Sequence, residues 1–126
     1  MGITLDTGAL IAFERADRQV RDLLEHGWAG GSYPTVPTAA IAQAWRDGRS
    51  QARLAGLLRR SRIEPLDERL ARSAGELMAR AGSADAVDAI IALSAATRRD
   101  VVLTSDPTDF MTLAAALNGR IKVIGV

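Results

Sequence analysis

Four aspartates stand where a strand gives way to a helix or in the first turn of one: Asp6 after Ile3-Thr4-Leu5, Asp85 and Asp88 at the head of an apolar helical stretch, and Asp106 after Val101-Val102-Leu103-Thr104. In an open α/β sheet, ligands gather at such strand exits. Carboxylates brought together there resist ionisation unless a cation compensates them. Oxygen ligands without histidine or cysteine suit Mg²⁺, with Mn²⁺ as the alternative, because such ions keep several waters and are held by a few carboxylates plus substrate phosphate. The chemistry implied is metal-assisted phosphodiester hydrolysis, with the ion activating a water and offsetting charge on the phosphate.

Each acid also has a structural use. Asp6 and Asp85 can cap the helices that follow them, Asp106 stands as a cap before Pro107, and Asp109 fits a solvated first turn. Asp88 is harder to absorb in this way. It lies within a mainly apolar helix, where the helix dipole offers an anion only about 0.3–1 kcal/mol.

The elements that must position these acids are legible in the pattern. Ile3–Leu5 opens as a strand, and Gly8 supplies a sharp turn before helical spacing begins. Two short helices follow, the second after an Asp17 cap. Tyr33 to Val36 is a second strand despite Pro34. Thr38 caps a helix with Ile41, Ala42 and Trp45 on one face, and Gln51 to Arg60 forms the next. Ile63 to Leu66 is a weak strand, and Asp67 caps a helix that Gly82 stops. Ala86 to Arg99 is the most apolar helix and therefore central, Val101–Thr104 is an interior strand, Pro107 opens the last helix, and Ile121 to Val126 closes as a strand. The order β-α-α-β-α-α-β-α-α-β-α-β calls for an α/β fold, a parallel sheet with helices on both faces. If the strand order reverses between the first strand and Val101–Thr104, Asp6 and Asp106 flank one crevice.

The chain has 126 residues, read as one domain over 1–126, with 48% hydrophobic, 25% charged and only 4% aromatic residues, so its core must be aliphatic. The absence of cysteine removes disulfides, thiolate metal sites and cysteine nucleophiles, and a single histidine, His26, cannot build a histidine-rich zinc centre. The net charge is +1, so no global field advertises a polyanion. Acids gathered into one cleft, however, leave a basic remainder that suits RNA. No targeting segment leads the chain and no run approaches the ~18 apolar residues of a membrane span, so a cytoplasmic protein without membrane contact is expected.

Ile3-Thr4-Leu5-Asp6-Thr7, Ala86-Val87-Asp88-Ala89-Ile90-Ile91-Ala92 and Leu103-Thr104-Ser105-Asp106-Pro107-Thr108-Asp109-Phe110 resemble three acidic motifs of PIN-domain ribonucleases, most closely the VapC toxins of bacterial toxin–antitoxin pairs. The resemblance covers essentially the whole chain, in family order. It implies a PIN-domain-like parallel sheet sandwiched between helices, with Asp6, Asp88 and Asp106 as metal ligands and catalytic acids. It also implies Mg²⁺-dependent endonucleolytic cleavage of RNA by a homodimer, restrained by a cognate VapB-like antitoxin that inserts a segment near the acidic cleft. Thr7 and Thr104 become hydroxyls that orient carboxylates or water. One departure stands out: Gln43 occupies the position of a family glutamate. The amide supplies no charge, so metal binding should weaken unless Asp85 or Asp109 compensates. Arg46, one turn beyond Gln43, is placed to meet an RNA phosphate or an antitoxin carboxylate.

Other residues have plainer roles. Trp28 and Trp45 are read as core or interface anchors, His26 as a solvated residue near a helix end, and Arg53, Arg59 and Arg60 as a solvated face with the capacity to track an RNA backbone. The Ile41 to Leu58 helices are the expected dimer face. Two rival readings stand beside the nuclease. One is a catalytically weakened PIN-like module that binds RNA or antitoxin, supported by Gln43. The other is a receiver-like phosphoryl-transfer domain with Asp6 as nucleophile, disfavoured because no second aspartate follows two positions on and no lysine follows the late strand.

Overall fold

The structure is a computed structural model and describes residues 2–126. β1 (Ile3–Leu5), β2 (Thr35–Pro37), β3 (Arg62–Glu64), β4 (Val101–Thr104) and β5 (Lys122–Gly125) form one five-stranded sheet in the order β3-β2-β1-β4-β5. Every pairing is parallel. The chain steps outward from β1 to β3, returns across the sheet to β4 and steps outward again. Strand order therefore reverses between β1 and β4, which pair Ile3 with Val101, Thr4 with Val102 and Leu5 with Leu103.

The helices are α1 (Thr7–Glu14), α2 (Arg18–Ala29), α3 (Thr38–Ala44), α4 (Ala52–Arg59), α5 (Glu68–Ala81), α6 (Ala86–Arg98) and α7 (Pro107–Ala116). Right-handed crossovers place α1 to α4 over one face and α5 to α7 over the other. Packing agrees, with α1 against α2, α3 and α4, and α5 against α6 and α7. The core is aliphatic, as composition demands: Leu5, Leu10, Leu54, Leu77, Ile91, Val102 and Leu103 are buried with Phe110. Each such side chain contributes about 1.5–3 kcal/mol on burial. α6 is central, with Ala89, Ile91, Ala92 and Ala95 fully enclosed. Among the described residues no helix is long and apolar enough to cross a membrane.

Several boundaries differ from the sequence reading. β2 begins at Thr35, leaving Tyr33 exposed outside it, and Pro37 is tolerated as the strand's last residue. Thr38 does not cap α3; it is the first helical residue, and its hydroxyl accepts from Leu66 N at 3.1 Å. α3 buries Ala40 and Ala44, while Ala42 is exposed and Trp45 has left the helix with ψ 130°. The cause is Gln51. This buried amide accepts from Arg46 N (2.7 Å) and Asp47 N (2.8 Å) and donates to Ala44 O and Glu14 Oε2 (both 3.0 Å). Those bonds satisfy backbone groups that continuing α3 would otherwise need.

Candidate functional site

Asp6 leaves β1 and caps α1. Its Oδ1 accepts from Ala9 N at 2.7 Å, and its own N–H donates to Leu103 O at 3.1 Å, which fixes the residue against β4. Thr104 ends β4 fully buried, and its hydroxyl accepts from Asp106 N at 2.9 Å. The hydroxyl proton remains available to Asp6, with which it bonds. One threonine thus ties together acids from two neighbouring strands. This closeness depends on Gly8, though not as a turn. Gly8 lies inside α1 without a positive φ, and a Cβ there would fall 1.9 Å from Ser105 Oγ. Glycine lets the β4–α7 connection press against the start of α1.

Asp106 occupies the cap position of α7, yet its carboxylate makes no capping hydrogen bond. Pro107 has no N–H to satisfy, and the exposed Asp106 side chain interacts with the Asp109 carboxyl instead of capping. Asp85 is the opposite case, capping α6 by accepting from Asp88 N at 2.9 Å. Asp88 is half-buried on that first turn. Burial, followed by the charges of Asp85, Asp6, Asp109 and Asp106, pushes its carboxyl up to about 7. Burial also raises Asp6, opposed by its bonds from Thr104, Ala9 and Gly8, while the charge of Asp106 raises it further. Asp109 is fully exposed and raised chiefly by Asp106. Five acids from three elements therefore act on one another across the point where strand order reverses.

As placed, no three acidic or histidine side chains among the described residues close on an ion. The donor chemistry nevertheless fits a hard divalent cation. It is oxygen-only, its members repel one another, and such an ion needs only one or two carboxylates plus waters and a phosphate.

Thr7 and Gln43 are brought together, Thr7 Oγ1 donating to Gln43 Oε1 at 2.6 Å, one residue along the chain from Asp6. Arg46 does not lie one turn along the same helix as Gln43, because α3 ends first. Its Nη1 instead donates to Trp45 O (2.7 Å) and Ala42 O (3.2 Å), closing off the helix end, although it still borders a surface cleft with Gln43 and Arg15. Trp28 is a structural anchor: it meets Phe13 edge-on at 6.2 Å, and its Nε1 donates to Arg60 O at 2.9 Å. Trp45 is half-buried against the core. His26 lies in the last turn of α2, as the sequence reading has it.

Fold and acids together define a class, an α/β sandwich whose carboxylates meet at the reversal of a parallel sheet. The PIN domain family model matches residues 3–115, and the chain belongs to the PIN-domain family. Among solved structures, VapBC2 from Rickettsia felis, bound to a DNA fragment from its promoter, has a chain with 17% identity and TM-score 0.75, the match covering 100% of this chain and 99% of that one. A toxin-antitoxin complex from Klebsiella pneumoniae matches at 19% identity and TM-score 0.71, over 87% of this chain and 91% of that one. FitAcB from Neisseria gonorrhoeae matches at 21% identity and TM-score 0.68, over 98% and 96%. These likenesses establish the fold. A comparison with curated protein sequences gives no match.

Proposed function

We propose that the chain, acting over 1–126 as one unit, is a Mg²⁺-dependent endoribonuclease and the toxin of a VapBC-type pair. The observation that carries this reading is the mutual repulsion among Asp6, Asp88 and Asp106, from β1, α6 and the β4–α7 connection, together with an Asp106 carboxylate free of capping. PIN domains are generally nucleases that use divalent metals, and the toxin–antitoxin neighbours support a VapB-like antitoxin as partner.

Asp6, Asp88 and Asp106 would hold the ion, with Asp85 and Asp109 adding negative charge nearby. When bound, it would supply Lewis acidity toward a phosphodiester and a water of lowered pKa. Thr104 keeps Asp6 and the Asp106 backbone in fixed relation, and Thr7, next to Asp6 in the chain, holds Gln43. Asp88, poised about 7, gives up its proton near neutrality and so is the acid most responsive to a cation. RNA as substrate, Mn²⁺ as a substitute ion and a homodimer with its face on the Ile41 to Leu58 helices belong to the same proposal.

The test is cleavage of a small-RNA pool with and without Mg²⁺, against Asp88→Asn. Cleavage lost with EDTA and in Asp88→Asn supports the nuclease. The engagement of Gln43 by Thr7, where a further acid would add charge, favours the second reading, a weakened module that binds RNA or antitoxin. Binding without cleavage in any metal would select it.

A further inference from the structure

The acids lie at the C-terminal ends of the strands. The opposite pole, where the strands begin, is of another character. Two clefts meet there at Tyr33, which is 57% exposed although Pro34 and Thr35 beside it are buried. One, of about 400 Å³, is lined by Trp28, Tyr33, Arg59, Arg60 and Ser61. The other, of about 450 Å³, includes Tyr33, Arg62 and Arg98. The Arg60 guanidinium lies 3.6 Å over the Trp28 ring, whose Nε1 is bonded to Arg60 O, so this arginine is held in place before any ligand arrives.

Charge at this pole is unbalanced. Glu64 and Asp100, the latter lining the second cleft, share one arginine, Arg98, at 2.5 and 2.9 Å, which leaves a single negative charge against Arg59, Arg60 and Arg62. Among the described residues, Arg59, Arg60 and Arg62 form no salt bridge. Arg53, grouped with Arg59 and Arg60 in the sequence reading, lies apart, donating to Glu14 O at 3.3 Å.

We propose that this pole binds single-stranded nucleic acid, with phosphates on Arg59, Arg60 and Arg62 and a base stacked on Tyr33. The arginines alone would accept any polyanion. The exposed ring between the two clefts adds a flat face on which a base stacks, the combination of basic surface and aromatic platform that single strands use. Buried phosphate-binding arginine is not required, because a strand's affinity comes from counterion release at a charged surface. The inference does not depend on hydrolysis at the acidic pole.

The full chain, kept in EDTA so that nothing is cut, is titrated against a fluorescent mixed-sequence RNA oligomer. The parent should bind with strong salt dependence. Arg59→Glu with Arg62→Glu should weaken binding at least about tenfold and lower the salt slope by about 1.4, two phosphate contacts' worth. Tyr33→Ala should weaken it about fivefold or more, and Tyr33→Trp should restore it. Because binding is read in EDTA, where nothing is cut, a failed nuclease reading leaves this result intact. No binding by the parent, or unchanged binding by variants whose circular dichroism is native, overturns the proposal. So does competition by polyglutamate that matches RNA while Tyr33→Ala is silent, which would assign the pole to an acidic protein.

Discussion

Asp6 and Asp100 are both buried aspartates beside threonines of the central strands, at opposite ends of the β1–β4 pair. Asp100 accepts from Gly2 N (3.1 Å), Thr4 Oγ1 (2.8 Å) and Arg98 Nε (2.9 Å), and Arg98 also reaches Glu64, Thr4 Oγ1 and Ser94 Oγ. Both charges there are compensated where they stand. At the other end Asp6 has Thr104 and Ala9 but faces Asp106, and every influence on Asp88 works against its charge. The same residue type is a structural clamp in one place and an incomplete electrostatic assembly in the other. An assembly of the second kind is what a cation would complete.

Neutralising aspartates at the two ends separates them most sharply. Asp6→Asn and Asp88→Asn should each lower RNA cleavage by more than about 100-fold, since even residues that only support metal ligands cost about 10–100-fold. Thermal melting of Asp88→Asn should hold or rise as like-charge repulsion is relieved. Asp100→Asn should do the reverse, keeping activity per folded molecule while losing about 1.5–3 kcal/mol by denaturant titration, the range for a hydrogen bond to a charged group. Equal destabilisation by Asp88→Asn and Asp100→Asn would erase the distinction.

The next largest effect concerns how the acidic end is assembled. Gly8→Ala puts a methyl 1.9 Å from Ser105 Oγ and 2.8 Å from Ser105 Cβ, so the β4–α7 connection must retreat and take Asp106 with it. Misplacement on the order of 1 Å costs about 100-fold in rate at a positioned site. Adding Ser105→Gly removes the colliding side chain and should recover most of the cleavage. Failure to recover would mean that Gly8 serves the helix rather than the approach.

A smaller effect separates the ends by pH. The Asp88 carboxyl moves from 3.8 to about 7 on folding, so between those values the folded chain holds a proton that the unfolded chain releases. Its contribution to stability is therefore complete below 3.8 and lost as pH rises through about 7. In EDTA the melting temperature should fall on going from about pH 5.5 to about pH 8, and Asp88→Asn should flatten that fall. Mg²⁺ should raise the melting temperature more at the higher pH, where the proton no longer competes. An equal metal effect at both pH values would detach the ion from Asp88.

Element order, the central apolar helix and the reversal between β1 and β4 were legible because hydrophobic period and short connections leave few topologies for an alternating chain. The acids were legible as strand exits and helix starts. What escaped the sequence reading depends on contacts between distant segments. Gly8 looked like a turn because its crowding partner, Ser105, is remote in sequence. Asp106 looked like a cap because its position is one, and only the absence of a capping bond from its carboxylate shows otherwise. Asp100 and Arg98 carry no sequence signal, since a buried clamp has no periodicity, and nothing local to Gln51 marks it as the residue whose amide holds Arg46 and Asp47 N–H beyond the end of α3.

Gln43→Glu should give the smallest change and the finest measure of how incomplete the acidic end is. Thr7 Oγ1 already donates to Gln43 Oε1 at 2.6 Å, and a carboxylate can accept the same bond, so the fold needs no adjustment. The added charge is held by Thr7, the neighbour of Asp6 in the chain, and should raise Asp88 further without a cation and strengthen cation binding with one. The Mg²⁺ midpoint for cleavage should fall severalfold, toward the lower end of the about 10–100-fold range for residues supporting a metal site. In EDTA, melting should drop slightly at neutral pH, because one more like charge joins the group. A lower midpoint together with lower metal-free stability would show Gln43 tempering the repulsion at this end, whereas an unchanged midpoint would place Gln43 outside the ion's reach.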